Sequence, residues 1–163
     1  MSSIPSKKLT SATVARRVAL NKHYSAVRKL TEDLTGPLSP EDQNLQSMPD
    51  TSPVKWHRAH TTWFFESFVL QPHNPHYEPF DSRFNYLFNS YYETLGPRHP
   101  RPCRGLLSRP DAETIGLYRD HIDQALFDLI QTADDNLWKT IRNLIILGLH
   151  HEQQHQELIL MDI

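Results

Sequence analysis

Residues 143–163 read NLIILGLHHEQQHQELILMDI. His151 and His155 stand four apart, and residues four apart on a helix lie one turn above each other on the same face. Two imidazoles so placed can hold one metal ion. The stripe that carries them runs Ile141, Leu144, Gly148, His151, His155 and Leu158. Its steps of three and four mark one helical face. The pair is therefore expected to look inward, where an unpaired polar group costs free energy. A metal would satisfy it. So would carbonyl groups, or Glu152 and Glu157.

A second stretch, PVKWHRAHTTWFFESFVL (residues 53–70), reads as another inward-facing helix. Proline at its start sits where a missing N–H is harmless, and Gln71-Pro72 is expected to end it. Trp56, His60, Trp63 and Ser67 form one stripe, with Phe64 beside it. His60 is the natural third ligand, flanked by tryptophans that would keep a site dry. His57 is the rival, rotated about 60° from His60 on a helix of 3.6 residues per turn. That rotation points it towards a flank, where a role beside the ligands or at the surface is expected. Three histidines without a carboxylate leave positions open on a metal. The set suits zinc with water, or ferrous iron with oxygen and a thiolate, and spacing does not choose between them.

His151-Glu152-Gln153-Gln154-His155 also matches HExxH, which in zinc proteases supplies two ligands and a general base. The longer protease signature wants Gly and His where this chain has Leu158 and Met161, so a protease is the weaker reading.

Two further main helices are expected, over residues 11–34 and 111–132, and the stretch from about Asn136 onward forms the last. Val14, Val18, Tyr24, Val27, Leu30 and Leu34 carry the apolar pattern of the first. Ile115, Tyr118, Ile122, Leu126 and Leu129 carry that of the third. Gly36-Pro37 stops the first helix. The SPED segment from Ser39 to Asp42 fits the cap of one short turn, and Asp134-Asp135 fits a cap for the last helix. Residues 71–110 read as a long irregular loop, with a short helix near residues 84–96 and no regular structure over residues 96–110. A loop of this length in a compact domain is usually functional or disordered. Its aromatics, Tyr86, Phe88, Tyr91 and Tyr92, argue for packing. Its arginines, Arg98, Arg101, Arg104 and Arg109, suit either a carboxylate clamp or a solvated basic loop. Four amphipathic helices with no strand-like alternation predict an all-α four-helix bundle, a scaffold that builds metal sites between facing helices.

Composition bounds the function. The chain has 163 residues, 38% hydrophobic, with ten histidines and a net charge of −2. This fits one domain, with residues 1–10 disordered. No basic excess points to nucleic acid. Nothing approaches the roughly 18 unbroken apolar residues of a membrane span, and the first residues hold no apolar run of signal-peptide length. The one cysteine, Cys103, fits a reducing compartment. A cytoplasmic location is the expectation, and a homodimer is left open.

The segments WHRAHTTWFFESFVL, FNYLFNSYYETLGPRHPRPCRGLLSRP and LGLHHEQQHQELILMDI together resemble the N-terminal region of ergothioneine-biosynthesis sulfoxide synthases, a DinB-like four-helix bundle. The likeness spans roughly residues 38–163. It implies a non-haem iron(II) enzyme that uses O2 to join a cysteine or gamma-glutamylcysteine thiol to the imidazole of hercynine, with a C–S bond and a sulfoxide formed. It implies His60, His151 and His155 as the iron ligands. It places Gln154 against the substrate imidazole, and Arg101 and Arg104 near the thiol substrate's carboxylate. It further implies a following domain, resembling formylglycine-generating enzyme and carrying a catalytic tyrosine, that lies outside this sequence. The chain alone is therefore expected to be inactive. The alternative is a stand-alone DinB-like metalloprotein with zinc or nickel, a thiol-dependent transferase or hydrolase.

Overall fold

The computed structural model describes residues 11–90 and 96–163. The disorder expected over residues 1–10, and the aromatics Tyr91 and Tyr92, lie outside the described residues. In chain order the helices are α1 (Ser11–Thr35), α2 (Pro40–Asn44), α3 (Val54–Phe65), α4 (Gln71–His73), α5 (Phe84–Phe88), α6 (Ala112–Thr132) and α7 (Asp135–Asp162). Among the described residues there is no strand. α3 lies between α6 and α7, and α1 packs against the same two helices from the other side. The four long helices thus form the bundle that periodicity predicts. No helix is long and apolar enough to cross a membrane among these residues.

The helix starts follow their caps. Ser39 and Asp42 form a reciprocal capping box at α2, which satisfies two backbone N–H groups at once. The Asp111 carboxylate accepts from the Thr114 N–H at 2.7 Å. The Asp134 carboxylate accepts from the N–H groups of Asn136 and Leu137 at 2.9 and 2.8 Å. At the other end of α6, the Arg17 guanidinium donates to the carbonyls of Ile130, Gln131 and Ala133. These are among the carbonyls a helix end leaves without partners.

The α6 face is the one expected: Ile115, Tyr118, Ile122 and Leu126 are fully buried, and Leu129 nearly so. The α1 face is not. Val14, Val18 and Leu30 are exposed, and the buried row is Arg17, Leu20, Tyr24, Val27, Arg28, Thr31 and Thr35. The inward stripe of α1 is part polar because it meets buried charges. Arg28 donates to Asp123 at 2.8 Å and to Glu152 at 3.1 Å. Arg119 reaches Glu152 at 2.9 Å, and Thr31 donates to the same carboxylate at 2.7 Å.

All twelve residues of α3 are buried, as suits a helix enclosed by neighbours on every side. It does not stop at Leu70. A π-helical turn, Glu66–Leu70, leads directly into α4. Pro72 stands in the first turn of α4, and the helical path runs on through it although proline offers no N–H to the turn before. The buried Glu66 carboxylate accepts from the hydroxyls of Tyr77 and Tyr118 and from the N–H of Phe80. This folds residues 74–81 back over the bundle. Residues 96–110 also differ from expectation: Arg101–Leu106 forms a 3-10 helix. It is held by Gln46, which accepts from the Gly105 N–H at 2.7 Å and donates to the Arg101 carbonyl at 2.9 Å.

α7 and α3 touch at Gly148, where a Cβ would come within 2.4 Å of the Phe65 ring and 2.9 Å of Phe64. Only glycine permits that approach, one turn before His151.

Removing the Glu152 carboxylate takes one of two carboxylate partners from each of two buried guanidiniums, since Arg28 keeps Asp123 and Arg119 keeps Glu32. Glu152→Ala should cost about 1–3 kcal/mol of stability, the usual range for hydrogen bonds lost by buried charged groups. Urea unfolding followed by circular dichroism measures it. A loss under about 1 kcal/mol would show that the arginines find other partners.

Candidate metal centre

The structure brings His60, His151 and His155 together. Each offers a ring nitrogen, and the three nitrogens lie within 4.8 Å of one another. His60 comes from α3 and the other two from α7, one turn apart. His60 and His155 are buried and His151 is half-buried.

Hydrogen bonds fix which nitrogen of each ring is available. His60 Nδ1 lies 2.6 Å from the Phe88 carbonyl. A carbonyl only accepts, so Nδ1 carries the proton and Nε2 keeps its lone pair. The ring is also clamped between two indoles. Trp56 stacks on it with centroids 4.5 Å apart and planes 14° apart, and Trp63 with centroids 5.4 Å and planes 16° apart. Both indoles are tied to the segment that holds Phe88. Trp56 Nε1 donates to the Leu87 carbonyl at 3.1 Å, and Trp63 Nε1 to Asn85 Oδ1 at 3.0 Å. Three residues of one α3 stripe thus dock on α5 and the residues around it. The middle of the chain is the outer support of the cluster.

His155 Nδ1 lies 2.8 Å from Nδ1 of His57, whose Nε2 lies 3.1 Å from Asp162 Oδ2. His57 is therefore no surface residue. It is 2% exposed, because α3 is enclosed on all sides and the flank it occupies faces α7. His151 Nδ1 is buried with no hydrogen-bond partner among the described residues. A buried polar atom left without a partner calls for an explanation, and a cation held by the three rings supplies one. The donor set therefore fits a divalent metal that favours nitrogen.

The electrostatics agree. Burial, then the neighbouring imidazoles of His155 and His151, hold the His60 pKa well below its ordinary value. Burial, then the imidazoles of His151 and His57, bring His155 down to about 2. Burial brings His151 to about 4. All three are neutral near pH 7, the form that ligates.

Glu152, the acid of the HExxH pattern, faces the other way. It is fully buried against Arg28, Thr31 and Arg119. Burial would raise its pKa, but the two guanidiniums and the hydroxyl overcome this and lower it to about 2. An ion-paired carboxylate turned away from the histidines cannot serve as their general base, so the protease reading fails.

Beyond the histidines, the arginines divide. Arg104 is buried, donates to Ser52 Oγ at 2.8 Å and Ser90 Oγ at 3.3 Å, and places its Cζ 3.4 Å from the centre of the Trp56 ring. Its Nε has no partner among the described residues. Desolvation, then the positive charges of Arg101 and Arg98, pull its pKa down to about 9. Arg98, Arg101 and Arg104 with Ser90, Pro100 and Pro102 line a pocket of about 390 Å³. Arg109 is exposed and lies in a different pocket, beside Asp111. Gln154 is exposed on α7, next to His155. Phe88 packs in the core as expected, whereas Tyr86 is exposed and does not. The residues that sequence reasoning missed are Asp162, which carries no signal at its distance from His57, and Phe88, whose contribution is a backbone carbonyl.

A buried histidine-bearing helical bundle defines the class of protein. The DinB superfamily model matches residues 23–159, and the chain belongs to the DinB superfamily. No curated protein matches the sequence.

These shifts fix a pH dependence. Unfolded histidine titrates near 6.5, and the folded values of His57, His60, His151 and His155 lie lower. The unfolded chain therefore binds more protons, so stability is full above about pH 6.5 and falls as pH drops towards the folded values. The urea midpoint of metal-stripped protein should be level from pH 8 to 7 and decline from about 6.5 to 4.5, before carboxylates join. A flat profile over that window would show that the imidazoles are not held neutral.

Proposed function

We propose that this chain forms the iron(II)-binding part of a non-haem sulfoxide synthase of the ergothioneine type, which joins a cysteine-type thiol to hercynine with O2. The observation that carries this reading is a column of stacked groups: Arg104 on Trp56, Trp56 on His60, and His60 on Trp63. A single indole separates Arg104, which lines the arginine-rich pocket, from a candidate metal ligand. Such an arrangement suits a small substrate with a carboxylate at one end and a metal-seeking group at the other, as cysteine has.

The reaction balances without a further reductant. O2 takes four electrons, one oxygen stays on sulfur, and the other leaves as water with the thiol hydrogen and the imidazole C–H hydrogen. When bound, iron(II) supplies the redox chemistry with oxygen and a Lewis-acidic seat for the thiolate. The chain's own residues do the rest. Arg104, with Arg98 and Arg101 beside it, receives the carboxylate through charge-assisted hydrogen bonds. Trp56 and Trp63 exclude water from both faces of His60. Gln154, at the exposed edge of α7, offers an amide to the imidazole of hercynine. Holding both substrates in register carries much of the rate.

The purified chain should bind one divalent metal, and chelation should lower its melting temperature, because a ligand of the folded state alone adds stability. His60→Ala should abolish stoichiometric binding. Elemental analysis and thermal melts check this. Absence of metal, with a melt that chelator leaves unmoved, would end the metal reading. Cobalt(II)-loaded protein should bind cysteine at least about tenfold more tightly than cysteine methyl ester, the effect expected for a hydrogen-bonded charge. Arg104→Ala should erase the difference. Equal affinities would favour the zinc or nickel thiol-dependent transferase or hydrolase instead.

A further inference from the structure

The contact between His155 and His57 has a definite proton order. Asp162 Oδ2 accepts twice, from His57 Nε2 at 3.1 Å and from the Ser52 N–H at 3.0 Å. A carboxylate only accepts, so the His57 proton sits on Nε2. With that proton placed, Nδ1 of the neutral ring is a lone pair, and the hydrogen across the 2.8 Å gap belongs to His155 Nδ1. His155 is then left with a bare Nε2. The opposite order would put a proton on the His155 Nε2 and close that nitrogen to a metal.

We infer that His57 and Asp162 form a positioning relay that fixes the tautomer and ring orientation of His155 for metal binding through Nε2. This rests on the metal reading of the cluster. The relay runs from α7 to α3 and back to α7. Asp162 lies two turns beyond His155 on the same face, since steps of four and three return to one side of a helix. Its carboxylate is anchored by the backbone of Ser52, just before α3. A partner on the far nitrogen of a ligating histidine raises the ligand's basicity and holds its ring, and its loss typically costs 10–100-fold in affinity. Here a neutral histidine stands in the place usually taken by a carboxylate or carbonyl, with the carboxylate one ring further out. His60 and His155 are thus both oriented through Nδ1, one by a carbonyl and one by this relay.

The test is zinc(II) affinity, measured by competition with a chromophoric chelator. His57→Phe and Asp162→Ala should each weaken binding, His57→Phe by about 10–100-fold, with stoichiometry kept at the level of the wild type. His57→Asn, whose Oδ1 can accept where Nδ1 did, should recover most of the loss, which a purely steric role would not allow. Circular dichroism confirms folding. Should His57→Phe fail to fold, Asp162→Ala and the following spectrum carry the test. Nitrogen-15 spectra of histidine-labelled, zinc-loaded wild type should show His155 metal-bound at Nε2 and protonated at Nδ1, with His57 protonated at Nε2. Coordination of His155 through Nδ1, or affinities of all variants within twofold of wild type, overturns the relay and leaves the metal site standing. A wild type that binds no zinc overturns both.

Discussion

The rotation of α7 about its own axis is set by one buried carboxylate. Glu152 is fully enclosed and must meet Arg28 and Arg119, since a lone charge cannot remain in a low-dielectric interior. Gln156, one turn on, adds bonds to the Val27 carbonyl and Thr31 on α1. With this stripe held against α1 and α6, the adjacent stripe of His151, His155 and Asp162 has one direction left, towards α3. The ion network and the histidine cluster are thus neighbouring faces of one helix. The first makes the second reproducible.

α3 is the complementary half. Its burial on all sides means that every polar side chain on it needs a partner, and the partners come from far away in sequence. His60 and the two indoles bond to the segment around α5, and His57 bonds to α7. Because the rings are stacked as well as hydrogen-bonded, they have little freedom left to lose when an ion arrives, which is how a preorganised site keeps its affinity.

What could be read from the sequence was whatever repeats with a helical period. The α6 face, the HxxxH pair, the Trp56–His60–Trp63 stripe and the caps at Ser39 and Asp134 are all local patterns, and all stand in the structure. The α1 face escaped because its buried row is part charged, and hydrophobic periodicity cannot see an arginine that goes inside to meet a carboxylate. Glu152 shows a related limit: proximity along the chain to His151 says nothing of which face it occupies. The π-helical turn after Phe65, the carbonyl of Phe88 and the anchoring of Asp162 are properties of backbone path and long-range contact, and no residue type announces them.

Gly148 gives the centre a mechanical scale. The two helices that carry the histidines are in contact there, one turn from His151, with the Phe64 and Phe65 rings of α3 resting where a side chain of α7 would otherwise stand. That contact acts as the fulcrum of a pair of tongs whose tips are His60 on one arm and His151 and His155 on the other. The opening of the tips, and hence the radius of ion they close upon, is governed by the thickness at the fulcrum as much as by the tips themselves. A methyl group at position 148 would leave all three imidazoles in the sequence and still change the gauge of the site.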